Sequence, residues 1–270
     1  MFASNPYAQL ASSVTPLLMQ SFVVVMIILV VAGTLFDVIH KGSARYFFDS
    51  FRRSKDQARR PVDGSEMVAI AVKTAVVDVL ASGEFCNQRR RVAHLLGMYG
   101  FVFHILATAV MVFDTKAAGI WSFLWWVGGL MVCGGGYWFW FFIRVDVAAE
   151  GGKPLRLMKA DLFILSLLAN TTLGLLWAIA GGGPGILFAL YLLATTVLFA
   201  GVPWSKFAHM FFKPAAAFEK RIAEANGGHN NLPFQTRDDP EQQKRHSMEL
   251  LRDAPMEMGL GIKREAPRHY

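Results

Sequence analysis

The sequence predicts an all-α membrane protein: a bundle of five transmembrane helices with the N-terminus periplasmic and the C-terminus cytoplasmic. Three observations predict this. The chain is 54% hydrophobic and only 17% charged, where a soluble domain carries about 25% charged residues. Five apolar runs, roughly residues 17–36, 92–113, 120–143, 162–180 and 186–208, are long enough to cross a bilayer core. Finally, the basic residues are sorted. None lies in residues 1–16, eleven lie between the first two runs, four in 144–159, eleven from Lys206 onward and none in 181–185. With five spans every Lys and Arg but Lys116 falls on one side, which the positive-inside rule makes cytoplasmic. An even number of spans would scramble that separation.

The net charge of +7 therefore belongs to the membrane topology and not to a nucleic-acid surface. The first run, FVVVMIILVV, is β-branched, but length decides for a helix, since a lone strand could not satisfy its backbone in lipid. It has no basic n-region before it and reads as a retained span, not a signal peptide. Between the first two spans, residues 67–81 are apolar but hold Lys73 and Asp78. We read an amphipathic helix near 66–82 on the cytoplasmic face; a sixth span would put Lys73 mid-membrane.

The third run, WSFLWWVGGLMVCGGGYWFWFF, carries Gly128, Gly129, Gly134, Gly135 and Gly136. These allow close approach of a neighbouring helix or of a flat cofactor. Trp121, Trp125, Trp138 and Trp140 read as interfacial belt residues. The fourth run carries Asn170, Thr171 and Thr172, which serve interhelical hydrogen bonds or a quinone or haem-edge contact. Residues 1–213 form the transmembrane bundle on this reading, and 214–270 a cytoplasmic tail whose composition suits partner docking; 218–225 and 241–252 read as short helices. Cys86 and Cys133 sit in unlike surroundings and predict no disulfide. With no CxxC, the chain lacks the usual four-cysteine set for an iron–sulfur cluster.

Ionisable groups in membrane segments are costly and point to function. His94 follows Arg89–Arg91 at the start of the second span, and His209 follows Lys206 at the end of the last apolar run. The topology gives both one depth on two helices, as bis-histidine ligation of a haem requires, with Arg91 and Lys206 where propionates would emerge. Two interfacial histidines are the plainer alternative. His104, ten residues and about 15 Å of helix beyond His94, has no histidine at matching depth. It reads as a core histidine or as one ligand of an incomplete second site. His40 is a weaker rival partner for His94.

Five helices, two histidines ten apart in the second span and the closing stretch PWSKFAHMFFKPAAAFEKR resemble the membrane cytochrome b subunits of the respiratory nitrate reductase gamma and heterodisulfide-reductase type, over about residues 17–221. In that family the last helix ends on a similar Pro, Ser, basic residue and His, then Pro and a basic cluster. Here these are Pro203, Ser205, Lys206, His209, Pro214 and Lys220–Arg221. The resemblance implies a b-type haem (heme b) held by His94 and His209, and quinone as electron partner. Family members with two haems carry a further histidine eighteen residues before the last one, five turns away on the same face. Here that position is Tyr191, which leaves the inner pair. In that family a lysine near the outer edge serves the quinol site; Asp114 and Lys116 are the charged residues on that side.

The missing iron–sulfur motif and the tail ending in MGLGIKREAPRHY further resemble the membrane anchor subunits of adenylylsulfate reductases. That implies a cytoplasmic iron–sulfur flavoprotein as partner, interconverting sulfite plus AMP with adenylylsulfate. The chain would pass electrons between it and the quinone pool in the bacterial inner membrane. A haem-free anchor for such an enzyme is the alternative. A small transporter is a third, without the inverted repeats or paired broken helices of that class.

Overall fold

Apolar runs in lipid become helices because every backbone group then finds its partner within the segment. A computed structural model describes residues 4–40, 43–83, 85, 88–144, 157–158, 161–205 and 209–228; of Ser43, Ala44, Tyr46, His209 and Phe211 it describes the backbone alone. The described residues contain helices and no strand. They are α1 (Pro6–Leu10), α2 (Pro16–His40), α3 (Ser43–Asp56), α4 (Gly64–Lys73), α5 (Gln88–Phe113), α6 (Ile120–Trp138), α7 (Leu162–Ile179), α8 (Ile186–Ala200) and α9 (His209–Ala225). Two helices run on with wider i→i+5 turns, α4 through Thr74–Leu80 and α6 through Phe139–Ile143. Four helices are long and apolar enough to cross a membrane: α2, α5, α6 with its extension, and α7. The apolar α8 is shorter, at 15 residues. Lys206, residues 145–156 and the tail beyond 228, with the helix expected at 241–252, lie outside the described residues.

The chain divides into two compact units. The first, residues 1–44 and 87–212, holds the apolar helices. Its tightest pair is α5 with α6, followed by α7 with α8. Glycine makes the first of these possible. A Cβ built on Gly128 would stand 2.7 Å from the Gly100 carbonyl oxygen and 2.7 Å from the His104 amide nitrogen. One on Gly135 would meet the Ala93 carbonyl oxygen at 2.7 Å. Gly129 and Gly136 face Leu175 and Leu168 of α7 in the same way. Neighbouring helices thus meet four of the five glycines that also suited a flat cofactor, and only Gly134 has nothing within 4 Å.

Two expectations need correction here. Trp125 is fully buried and Trp140 nearly so, so neither belongs to an interfacial belt. Trp125 faces α5 and takes part in the core, and the Arg144 guanidinium lies 3.9 Å over the Trp140 ring. The last apolar run is also not one helix through residue 208. It stops at Ala200. Gly201 ends it, a 3-10 turn follows at Val202–Trp204, and Ser205 is extended. Pro203 supplies the reason, because it has no amide hydrogen to continue the helix and it disfavours helical backbone just before it. Val202 and Pro203 pack against Gly33 of α2. His209 therefore opens a new helix, and the five-turn register between positions 191 and 209 does not hold.

A short helix that the hydropathy does not reveal closes one end. Asn5 caps α1 through its side chain and donates from Nδ2 to the carbonyl oxygens of Met111 at 3.1 Å and Thr115 at 3.3 Å. Pro6 sits at the first helical position, where a missing amide hydrogen costs nothing. A Cβ at Gly182 would meet the Pro6 carbonyl oxygen at 2.8 Å. The N-terminus, the α5–α6 turn and the α7–α8 turn thus share one end of this unit.

The second unit joins residues 45–86 to those from Lys213 onward. Asn226, just past α9, is its knot. Its Nδ2 donates to the Ser54 carbonyl and hydroxyl oxygens at 2.9 and 3.1 Å, its Oδ1 accepts from the Gly228 amide, and its carbonyl accepts from the Arg59 and Arg60 amides. Arg221 grips Asp78 with two hydrogen bonds of 2.6 and 2.8 Å. Asp63 caps α4 by accepting from the Glu66 amide, which holds its carboxyl below the usual range. Helix Gly64–Leu80 occupies the segment expected to be amphipathic.

Candidate functional site

His104 is fully buried on α5. Its Nδ1 lies 2.8 Å from the Trp125 carbonyl oxygen. A carbonyl can only accept, so we infer that Nδ1 carries the proton and Nε2 keeps a lone pair. Nε2 is buried with no hydrogen-bond partner among the described residues. An anchored Nδ1–H with a bare Nε2 is how metal-ligating histidines are held. The surroundings decide otherwise. The His104 ring stacks on Trp125 at 4.7 Å. Tyr7 of α1 packs edge-on to Trp125 and tilted on Trp177, and Trp177 stacks on Tyr191. The Tyr7 and Tyr191 hydroxyls are 2.9 Å apart in a hydrogen bond. Trp125 Nε1 donates to Thr108, which donates to the His104 carbonyl. A Cβ on Gly174 would already crowd Tyr191 at 3.0 Å. This half of the bundle, nearer the α5–α6 turn, is filled by the chain's own rings. The residues do not fit a haem there.

His94 differs. It lies ten residues nearer the start of α5 and its side chain is exposed. Phe101 and Ile105, seven and eleven residues on, share its helix face. Both pack into the core cluster of Leu198, Phe199 and Val202, with Phe101 at 6.4 Å from Phe199. His94 thus continues that face at the start of α5, with its side chain exposed. Arg91 is half-buried one turn before it. The side chain of His209 and all of Lys206 lie outside the described residues. His40 is exposed and stacks on exposed Phe36 of its own helix at 5.2 Å, so it turns away from the core.

Asp114 and Lys116 are exposed in the α5–α6 turn, and Asp114 Oδ1 accepts from the Lys116 amide at 2.9 Å. That bond is a local turn device. The polar residues of α7 serve interhelical bonds: Asn170 Nδ2 to Thr195 at 2.6 Å, Thr172 to Tyr137 at 2.8 Å, and Cys133 Sγ near Thr171 and Thr172.

Three buried features escaped the sequence reading. Tyr7 is one, although Asn-Pro before a short apolar stretch is a helix-start signal. Asp37, buried in α2 one turn past Gly33, is another; it sits just beyond the apolar run. Arg144 pairs with Asp161 in a buried two-bond contact, at 3.1 Å from Nε to Oδ1. It ties the end of α6 to the start of α7 across a loop that charge counting treats only as basic. Such a pair, once partnerless, leaves a costly buried charge.

These helices define a multi-pass helical membrane protein. No family model matches the chain, and no curated protein or solved structure matches it either.

Proposed function

We propose that the chain is the membrane anchor of a cytoplasmic iron–sulfur flavoenzyme of the adenylylsulfate reductase type, and that it passes electrons between that enzyme and quinone through one b-type haem. The observation that carries this reading is the place of His94 near the start of α5, on the helix face that Phe101 and Ile105 continue against the core. His94 supplies a neutral nitrogen to the iron and His209 is its partner, while Arg91 and Lys206 offset the propionate charge. The haem, when bound, supplies a one-electron relay. The ring packing of Tyr7, Trp125, Trp177 and Tyr191 leaves the reading with a single haem. Asp114 and Lys116, exposed in the α5–α6 turn, are the ionisable groups this reading gives to proton exchange with quinone.

The reading takes five spans, with α8 as the fifth and the N-terminus periplasmic. It is supported by the charge sorting and by the shared end of the N-terminus and two turns. A reporter enzyme fused after Tyr270 is expected to report cytoplasm, and one inserted at residues 114–119 periplasm; a periplasmic C-terminus overturns the topology. The haem is tested by the absorbance of the purified, reduced protein, where b-type bands are expected. One observation favours the haem-free anchor instead: the break at Gly201–Ser205, which removes His209 from the last apolar helix. A flat spectrum from protein grown with ample haem would select it.

A further inference from the structure

We propose that residues 45–80 form a lipid-binding platform: the basic face of α3 binds anionic phospholipid headgroups, and a valine stripe on α4 seats in the bilayer interface. Between Arg45 and Arg60 the chain has six basic and two acidic residues. On α3, Phe47, Ser50, Phe51 and Ser54 make the covered face. The opposite face exposes Arg45, Phe48, Arg52, Arg53 and Lys55. Arg45 is 89% exposed and reaches Asp49 only at 3.8 Å. Guanidinium groups around an exposed aromatic ring suit a negative, half-apolar surface.

Along α4 and its extension, Val68, Val72, Val76 and Leu80 recur every four residues and are each 51–65% exposed. An α-helix alone would let that spacing drift around the axis. The wider turns of Thr74–Leu80 turn it back and keep the row straight. Four large apolar groups in one row are costly to leave in water. The stripe is too short to span and carries exposed Lys73, which suits an interfacial helix.

Chain continuity selects lipid as the occupant. Helix α3 begins at Ser43, three residues after the spanning α2 ends at His40. The α4 extension ends at Leu80, eight residues before the spanning α5 begins at Gln88. Both ends of the segment are thus tethered within a short reach of the bilayer. A basic cluster directly beside a span meets anionic headgroups at close range, where their field is strong. This proposal stands apart from the electron-transfer reading.

The test uses the full chain in nanodiscs, with Cys86 and Cys133 replaced by serine and a bimane probe on Val72→Cys. With brominated phosphatidylcholine plus phosphatidylglycerol, strong quenching by the bromines is expected. Omitting phosphatidylglycerol, or combining Arg45→Gln, Arg52→Gln, Arg53→Gln and Lys55→Gln, is expected to weaken the quenching on the order of several-fold, since each basic group contributes to surface binding. The same three arginines changed to lysine, with Lys55 kept, should restore it. All four side chains are exposed, so the variants remove no packing. Quenching unchanged in the glutamine variant overturns the headgroup role. An unquenched probe overturns the platform: a water-like emission means a solvated stripe, and a blue-shifted one means a protein partner or a second copy covers it.

Discussion

Replacing Gly128 with alanine is expected to lower the thermal midpoint of the detergent-solubilised protein by roughly 2–12 °C, while Gly134→Ala leaves it unchanged or slightly raised. The two glycines lie six residues apart on α6 and differ in what a methyl group would meet. At Gly128 the new carbon falls 2.7 Å from Gly100 O and His104 N and 3.1 Å from Phe103 Cβ. Two of these are backbone atoms, which no rotamer can move aside. Helices α5 and α6 must part, and the His104–Trp125 bond and ring stack lengthen with them. Overpacking of this kind costs about 1–3 kcal/mol, and each kcal/mol is worth roughly 2–4 °C in a chain near this size. At Gly134 nothing lies within 4 Å. Alanine there gains about 1 kcal/mol of helix propensity. Fluorescence-detected elution after graded heating separates the two; equal midpoints would mean that the close α5–α6 approach is wrong.

Four of the five expected spans were legible because hydropathy alone decides them: a long apolar run in lipid has one way to satisfy its backbone. What hydropathy cannot report is where a run stops being helix. Residues 186–208 stay apolar through GVPWSKFA, and the Gly201 and Pro203 stop signals were outweighed by that greasiness. The reverse error hid α1 and α3. Pro6–Leu10 has only five residues, and what holds it is distant: Met111, Thr115 and Tyr191. Ser43–Asp56 is polar by composition and no apolar run marks it as an element, although Phe47, Ser50, Phe51 and Ser54 repeat at helical spacing. Tryptophan was misjudged for a related reason. Its ring suits an interface or a core, and only the partner surface tells which. Trp125 has glycine-lined helix contact on one side and Tyr7 on another, both set by tertiary structure. The candidate site divides the same way. His94 and His104 stand out in any apolar run as groups that demand a reason. That His104 is sealed by rings depends in part on Tyr7, ninety-seven residues before it in the chain.

If the proposed b-type haem is bound, His94→Ala and His209→Ala are each expected to abolish its spectrum, and His104→Ala is expected to keep it. His94 and His209 would hold the proposed haem iron, so losing either imidazole would leave it one protein ligand, and the haem would dissociate or turn high-spin. His104 has spent its Nδ1 on the Trp125 carbonyl, and its other nitrogen is enclosed by packed rings. Removing it takes away a stack and a hydrogen bond, so stability falls by about 2–4 kcal/mol, the range for truncating a large buried side chain, without touching the iron. The contrast is informative because the three histidines are alike in chemistry and differ in surroundings. His94 is exposed near the start of α5, whereas burial marks His104 as structural. Stability and spectrum must be read together, on protein that elutes as a single species. A spectrum that survives His94→Ala would place the iron elsewhere. A spectrum lost in His104→Ala, from protein that remains folded, would mean that the ring-filled half of the bundle opens to admit a haem, and that Tyr7 yields its place when it does.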